Sequence, residues 1–382
     1  MSEIQSVASF GVSTRVIMGD GLAGAISDKK KVFIVTDGFL VQSGKISYVI
    51  DRLAYGSEHE IFSEVFADPD ISTVARGLEV MTAFNPDIVV ALGGGSPIDA
   101  AKAIVYFAKR VENCSSIPFI AIPTTAGTGS EVSKFAVITD RTNQVKYPIV
   151  DESLLPDVAV LDAALTLSVP PSVTADTGMD VLTHAIEAFA SNVSNDFSNA
   201  AAEMAIRLVA KYLEKAVKEP ENMKARQGML NASCLAGIAF SNSGLGICHS
   251  MAHALGARFH IPHGKANAIL LPYVMSFNAG CIDKLTPTAK AYARISRLIG
   301  MQATNTRQTA LNLIRLVKRY ISHLSIPSSI MEAGVDRREF FDAIDELSEA
   351  AFADKCTARN PRECTKEDIT SVFINAYNGK TF

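Results

Sequence analysis

The sequence predicts an α/β N-terminal domain with a parallel, Rossmann-like sheet. Short β-rich runs, KVFIVTD (31–37), DIVVALGGGS (87–96) and FIAIPTT (119–125), alternate with helical stretches at 71–85 and 97–110. Strands that are apolar throughout and separated by helices are typical of a parallel sheet covered on both faces. Pro97 suits the first turn of the second helix.

The rest of the chain predicts an all-α C-terminal domain. Few β-rich runs follow the prolines of VPPSVTADTG (169–178), and apolar residues then recur at helical spacing. We therefore expect an α/β domain over 1–172 and a helical domain over 173–382. The predicted helices are 174–191, 196–216, 224–241, 306–324 and 338–352.

Length and composition predict a globular protein and give no sign of a nucleic-acid-binding, membrane or secreted one. A chain of 382 residues with 48% hydrophobic and 20% charged residues can form two ordinary cores. The net charge of −4 gives no reason to expect nucleic acid or an acidic membrane as a partner. No apolar run has the ~18 residues of a membrane span, and no secretory signal is apparent. Six scattered cysteines suggest reduced thiols in the cytoplasm: Cys114, Cys234, Cys248, Cys281, Cys356 and Cys364.

Two glycine-containing turns follow predicted strands. GGGSPIDAAKA leads from a strand into a helix, and PTTAGTGSEVS (123–133) offers hydroxyls together with glycines. Such turns let a phosphate approach the backbone at a helix start, so the pair could cradle a pyrophosphate. The spacing differs from G-x-G-x-x-G, and the first turn could equally be only a turn.

Asp37 ends an early predicted strand. A carboxylate there can accept hydrogen bonds from ribose hydroxyls and would repel a 2′-phosphate, which favours NAD over NADP. The alternative is that Asp37 merely begins the turn before Gly38.

A third feature is a concentration of metal-ligand side chains. Asp180 and His184 lie four residues apart in a helical pattern, with Glu187 as a polar neighbour on the same face. Three imidazoles with one carboxylate suit Fe²⁺ or Zn²⁺. Spacing alone does not choose the three from five candidates: His184, His249, His253, His260 and His263.

Five ordered motifs carry a family resemblance. GGGSPIDAAKA, PTTAGTGSE, TGMDVLTHAIEA, GLGICHSMAH and PHGKANAILLP resemble the iron-dependent (group III) alcohol dehydrogenases, which share the dehydroquinate synthase-like fold. Within that family, DGFL, FSNSGLGICHSMAH and ARNPR (358–362) are most similar to the propanol and ethanol dehydrogenases of bacterial microcompartments.

The resemblance implies that 1–172 is the dinucleotide-binding domain and 173–382 the metal-binding, catalytic domain, and it implies the roles of individual residues. Fe²⁺ is the expected metal, although Zn²⁺ would fit the same ligands, which are Asp180, His184, His249 and His263. His253 matches a histidine close to the metal that positions substrate or transfers a proton, and His260 matches no ligand. The implied NAD-binding residues are Asp37, Asp68, Gly93, Gly94, Gly95, Ser96, Asp99, Thr124, Thr125, Thr128, Ser133 and Lys146.

Two positions depart from the family pattern. Many members carry Asn-Pro where this chain has Asp68-Pro69, and threonine where Ser133 stands. Both changes keep a polar group, so they affect detailed contacts and not the use of the cofactor.

The implied reaction is NADH-dependent reduction of propanal or acetaldehyde to the primary alcohol, and its reverse. Alternatives are enzymes acting on lactaldehyde with 1,2-propanediol, on 1,3-propanediol or on glycerol. A dehydroquinate synthase-like lyase is a distant alternative. Its phosphate-bearing substrate needs several basic residues, whereas 177–191 has none and 244–264 has only Arg258. We expect a homodimer or larger, in the cytoplasm or inside a microcompartment.

Overall fold

The computed structural model describes residues 9–111, 117–142, 145–281 and 284–380, without the side chains of Val111, Val145 and Lys146. Two compact units result, one formed by residues 12–169 and the other by residues 9–11 with 170–380. The predicted fold class is confirmed: the first unit contains a parallel sheet, and the second consists of helices.

The first unit contains eight strands. They are β1 (Arg15–Met18), β2 (Lys31–Asp37), β3 (Glu58–Val65), β4 (Ile88–Gly93), β5 (Phe119–Pro123), β6 (Phe135–Asp140), β7 (Val145–Val150) and β8 (Val158–Leu161). Six of them form one parallel sheet in the order β1-β8-β5-β4-β2-β3. The other two, β6 and β7, pair as a separate antiparallel hairpin.

Among its described residues, this unit has five α-helices: α1 (Leu22–Ile26), α2 (Gly38–Gln42), α3 (Ser47–Ile50), α4 (Ile71–Phe84) and α5 (Gly95–Val111). Successive strand residues point to opposite faces, and both faces are buried. Val89 and Ala91 pack with α4 and α5, whereas Val90 and Leu92 pack with α1 and α2. The continuous apolar runs in the sequence therefore reflect burial on both faces of the sheet.

The sheet brings three predicted segments to one edge. Strands β2, β4 and β5 are neighbours, and they end at Asp37, Gly93 and Pro123. Because the strands are parallel, the segments that follow them emerge side by side at the carboxyl edge, where nucleotides bind in folds of this type.

The second unit is a set of packed helices. They are α6 (Pro171–Ala190), α7 (Asp196–Lys218), α8 (Met223–Ser243), α9 (Ile247–Phe259), α10 (His263–Ala279), α11 (Thr288–Leu298), α12 (Thr306–His323), α13 (Arg337–Ala353) and α14 (Lys366–Asn378). Helix α10 packs against both α6 and α9, and α9 also packs against α13. Across the described part of the chain, every helix is too short or too polar to cross a membrane.

Candidate metal centre and cofactor cradle

Four side chains from three helices converge in the helical unit. Asp180 and His184 come from α6, His249 from α9 and His263 from α10, and one ligand atom of each lies within 4.8 Å of the others. The first two face the same way because they are one helical turn apart. Of the five candidate histidines, the structure brings together with Asp180 the three that the family resemblance implies, His184, His249 and His263.

The environment of His249 fits a metal ligand. Its Nδ1 contacts Oε2 of Glu187, and its Nε2 faces Asp180 Oδ1 at 3.7 Å. That Nε2 is buried and has no hydrogen-bond partner among the described residues. A buried nitrogen without a partner is costly, and a cation between it and the carboxylate would satisfy both groups.

The charges of the cluster are mutually dependent. Burial alone would raise the pKa of Asp180, but the surrounding imidazoles, His184 and His263 foremost, hold that pKa well below its usual range. Burial alone would lower the pKa of His249, but the carboxylates of Glu187 and Asp180 raise it to about 9. Two buried carboxylates thus create a demand for positive charge, which a divalent ion can meet.

Two residues that sequence reasoning did not assign to the site hold the candidate ligands in place. Glu187 also accepts a hydrogen bond from the amide of Cys248 at 2.8 Å, so one carboxylate fixes the start of α9 and the ring of His249. Asn267 donates to Asp180 Oδ1 at 2.7 Å and lies 3.1 Å from His263 Nε2. Spacing in the sequence could have indicated Asn267, because it follows His263 by one helical turn.

The two remaining candidate histidines, His253 and His260, differ in their surroundings. His253 stacks on His263 with ring centroids 5.3 Å apart and an interplanar angle of 16°, and its side chain is 45% exposed. His260 is exposed and ends α9 in the left-handed conformation, with φ of 57°. Neither belongs to the converging set of four.

Cys248 lies beside His249 without joining the cluster. It is fully buried, and desolvation raises the pKa of its thiol well above the ordinary value. A neutral thiol is a poor metal ligand, so Cys248 acts as a small buried side chain.

The two glycine-containing turns touch each other at the carboxyl edge of the sheet. A Cβ on Gly94 would lie 3.3 Å from Thr125 Oγ1, and one on Gly95 would lie 2.8 Å from Thr128 Cγ2. The amide of Thr124 also donates to the carbonyl of Gly93 at 2.9 Å. A side chain at residue 95 would clash with Thr128, so glycine there permits the approach, which places threonine hydroxyls beside the start of α5.

Buried polar contacts of α5 hold the end of the second turn and the segment that follows it. Asp99 accepts hydrogen bonds from the hydroxyl of Ser130 and the amide of Val137. Lys102, a residue that the sequence did not single out, is 1% exposed and donates to the carbonyl and hydroxyl of Ser133. Ser133 is 2% exposed, and its hydroxyl group contacts Lys102 inside the protein.

Of the other predicted cofactor residues, Asp37 and Ser96 lie at this edge, at the end of β2 and after β4 respectively. Asp37 caps α2 by accepting a hydrogen bond from the amide of Leu40 at 2.9 Å. It therefore has the turn-forming role that the sequence offered as the alternative to ribose binding. Ser96 lies in the first turn of α5. Asp68 is exposed, with φ of 56°. The side chain of Lys146, on β7, lies outside the described part of the structure.

Comparisons with known proteins agree with this architecture. Residues 13–163 match the model for iron-containing alcohol dehydrogenases, and residues 174–377 match the C-terminal model of the Fe-containing alcohol dehydrogenase family. The chain is 42% identical to the 1-propanol dehydrogenase PduQ of Citrobacter freundii, over 93% of this chain and 95% of that protein.

Two further similar proteins are named for other substrates, butanol and 1,3-propanediol. The NADPH-dependent butanol dehydrogenase of Clostridium saccharobutylicum is 40% identical over 93% of both chains. A crystal structure of 1,3-propanediol oxidoreductase superposes with a TM-score of 0.89 at 33% identity, covering 97% of this chain and all of that one. The chain belongs to the iron-containing alcohol dehydrogenase family.

Proposed function

We propose that this protein interconverts a short-chain primary alcohol and its aldehyde, such as 1-propanol and propanal or ethanol and acetaldehyde, using NAD(H) and Fe²⁺. The observation that carries the proposal is the convergence of one carboxylate and three imidazoles on a single point. The 42% identity to a 1-propanol dehydrogenase supports the substrate class. The proposed ligands are Asp180, His184, His249 and His263.

The chain's own residues would prepare the site for this chemistry. A divalent metal held there supplies a Lewis acid that polarises the carbonyl group, and NADH supplies the hydride. Glu187 and Asn267 orient the ligands through the contacts described above. His253, whose ring is partly exposed beside His263, is the proposed proton relay between the alcohol oxygen and water.

The cofactor is proposed to bind at the paired turns of the sheet unit. The cradle formed by Gly94, Gly95, Thr125 and Thr128 would receive the pyrophosphate. The full proposed set is Asp37, Asp68, Gly93, Gly94, Gly95, Ser96, Asp99, Thr124, Thr125, Thr128, Ser133 and Lys146. The carboxylate of Asp37 supports NAD over NADP, in contrast to the NADPH-dependent relative.

A second candidate substrate class has its own support. The 1,3-propanediol oxidoreductase structure superposes along 97% of this chain, so a diol or the corresponding hydroxyaldehyde is the alternative. Relative turnover of propanal and lactaldehyde separates the two classes. We further propose a homodimer or larger assembly in the cytoplasm, associated with a bacterial microcompartment, as the family resemblance implies.

The direct test is anaerobic purification with metal analysis, followed by NADH oxidation with aldehydes of two to four carbons, lactaldehyde and 3-hydroxypropanal. We expect one metal ion per chain and the highest kcat/KM with propanal or acetaldehyde. An Asp180→Asn variant should lose both metal and turnover. Full aldehyde reduction by a preparation free of metal would refute the proposal.

A further inference from the structure

A polar hub surrounds the residue that ends α13. Asp354 is the C-cap of that helix, and its Oδ2 lies 2.9 Å from Nδ1 of His253. Its Oδ1 accepts hydrogen bonds from the amide of Cys356 at 2.8 Å and the hydroxyl of Ser250 at 3.3 Å. Both carboxylate oxygens are therefore engaged, and they join two segments distant in sequence, the end of α13 and helix α9.

The contact with Asp354 determines which ring nitrogen of His253 carries a proton. Burial alone would raise the pKa of Asp354, but the hydrogen bonds from His253 and from Cys356 hold it well below its usual range. An ionised carboxylate only accepts hydrogen bonds. Because Nδ1 of His253 lies 2.9 Å from Oδ2 of this carboxylate, the contact places a ring proton at Nδ1, and in the neutral ring Nε2 is then the acceptor.

We propose that Asp354 is a positioning residue that holds His253 in the tautomer protonated at Nδ1, leaving Nε2 as the proton acceptor. The inference deepens the proposed function, since it rests on His253 acting as the relay. In alcohol oxidation the O–H bond of the alcohol breaks and an N–H bond forms at Nε2. The Nδ1 proton stays in place, and Asp354 balances the imidazolium charge. The half-exposed ring then passes the Nε2 proton to water.

The same hub could be interpreted as a second metal site. Ligand atoms of His253, Asp354 and Cys356 lie within 4.8 Å of one another. Metal binding there would require the thiolate of Cys356, but desolvation and the carboxylate of Asp354 raise its pKa well above the ordinary value. The Nδ1 of His253 would also have to give up the proton that it shares with Asp354. The contacts thus favour a hydrogen-bonded pair.

The test compares Asp354→Asn with Cys356→Ala, which keeps the backbone donor and removes the thiol. In the asparagine variant the amide can turn an N–H toward Nδ1, which moves the ring proton to Nε2. We expect kcat to fall roughly 100-fold or more, with wild-type metal content and little change in KM for NADH. Cys356→Ala should retain wild-type kcat and metal content.

A second measurement does not depend on activity or on a variant. In zinc-loaded wild-type protein labelled with ¹⁵N-histidine, NMR should show His253 protonated at Nδ1. An Nε2–H tautomer there, or wild-type kcat in Asp354→Asn, would overturn the inference. Loss of a second bound zinc in both variants would overturn it in favour of the metal site. Failure of the proposed function is a separate result, namely wild-type protein that binds one metal but reduces no aldehyde.

Discussion

Gly264 lies directly against the main-chain carbonyl of Asp176. A Cβ built at residue 264 would lie 2.4 Å from that oxygen and 3.3 Å from Cβ of Asp180. The contact joins the first turn of α10 to α6. Gly264 follows the proposed metal ligand His263, and Asp176 lies one helical turn before the proposed ligand Asp180. The missing side chain at 264 is therefore what lets His263 approach Asp180.

Gly264→Ala should displace His263 and lower the metal content. The backbone carbonyl cannot yield as a flexible side chain would, so the two helices must separate, at a stability cost of about 1–3 kcal/mol. Metal per folded chain is the measurement. Gly24→Ala, on α1, is the matched control because its Cβ would have nothing within 4 Å. Full metal occupancy in the Gly264 variant would show that the contact does not position the ligand.

Glu187→Gln should weaken metal binding about 10–100-fold. The glutamine oxygen can still accept from the amide of Cys248, but its NH₂ group would then face Nδ1 of His249 and disfavour the required tautomer. Competition with a chelator measures the affinity. Glu214→Gln removes a carboxylate that contacts a different histidine, His323, and should leave metal affinity unchanged. Equal effects of the two substitutions would contradict the assigned role.

Spacing and composition anticipated much of the fold and only part of the site. Continuous apolar runs identified β2, β4 and β5 because those strands are buried on both faces. The edge strand β1 has only four residues and is mostly exposed, so it carries no such signal. Glu187 was visible only as a polar neighbour on α6, because its partner, His249, lies on a helix far along the chain.

His263→Ala should abolish metal binding, whereas His260→Ala should leave metal content and turnover nearly unchanged. The first removes one of the four converging side chains proposed as ligands, and the second alters an exposed cap residue. His260→Gly sharpens the test, since glycine adopts the left-handed cap more readily than histidine. We expect that variant to unfold at an equal or higher temperature with full metal. Metal loss in either His260 variant would contradict the ligand assignment.

Asp37→Ser should improve the use of NADPH relative to NADH by about tenfold, or ~1.4 kcal/mol. Serine keeps an oxygen that can cap α2 but removes the charge that would repel a 2′-phosphate. The ratio of kcat/KM for the two cofactors is the measurement. Asp336→Ser, which changes the equivalent cap of α13, is the control. An unchanged ratio in the Asp37 variant would leave this residue with its capping role only.

Glu131 predicts a pH dependence of stability in the sheet unit. The side chain is 1% exposed, and its Oε1 has no hydrogen-bond partner among the described residues. Desolvation raises the pKa of Glu131 from 4.5 to about 7. The folded state therefore binds this proton more tightly than the unfolded state does. Its contribution is fully present below pH 4.5 and is lost as the pH rises to about 7.

Glu131→Gln should flatten that dependence. Wild-type protein should lose on the order of 2 kcal/mol of unfolding free energy between pH 4.5 and 7 from this group, and the variant should not. The nearby Lys102, whose pKa desolvation lowers to about 8, stays protonated throughout most of this window and adds little slope. Denaturant unfolding at several pH values measures the effect. In Glu214→Gln the wild-type slope should persist, because the pKa of Glu214 is lowered, so that this residue contributes at more acidic pH. Parallel curves for wild type and Glu131→Gln would show that the carboxyl group is not the source of the dependence.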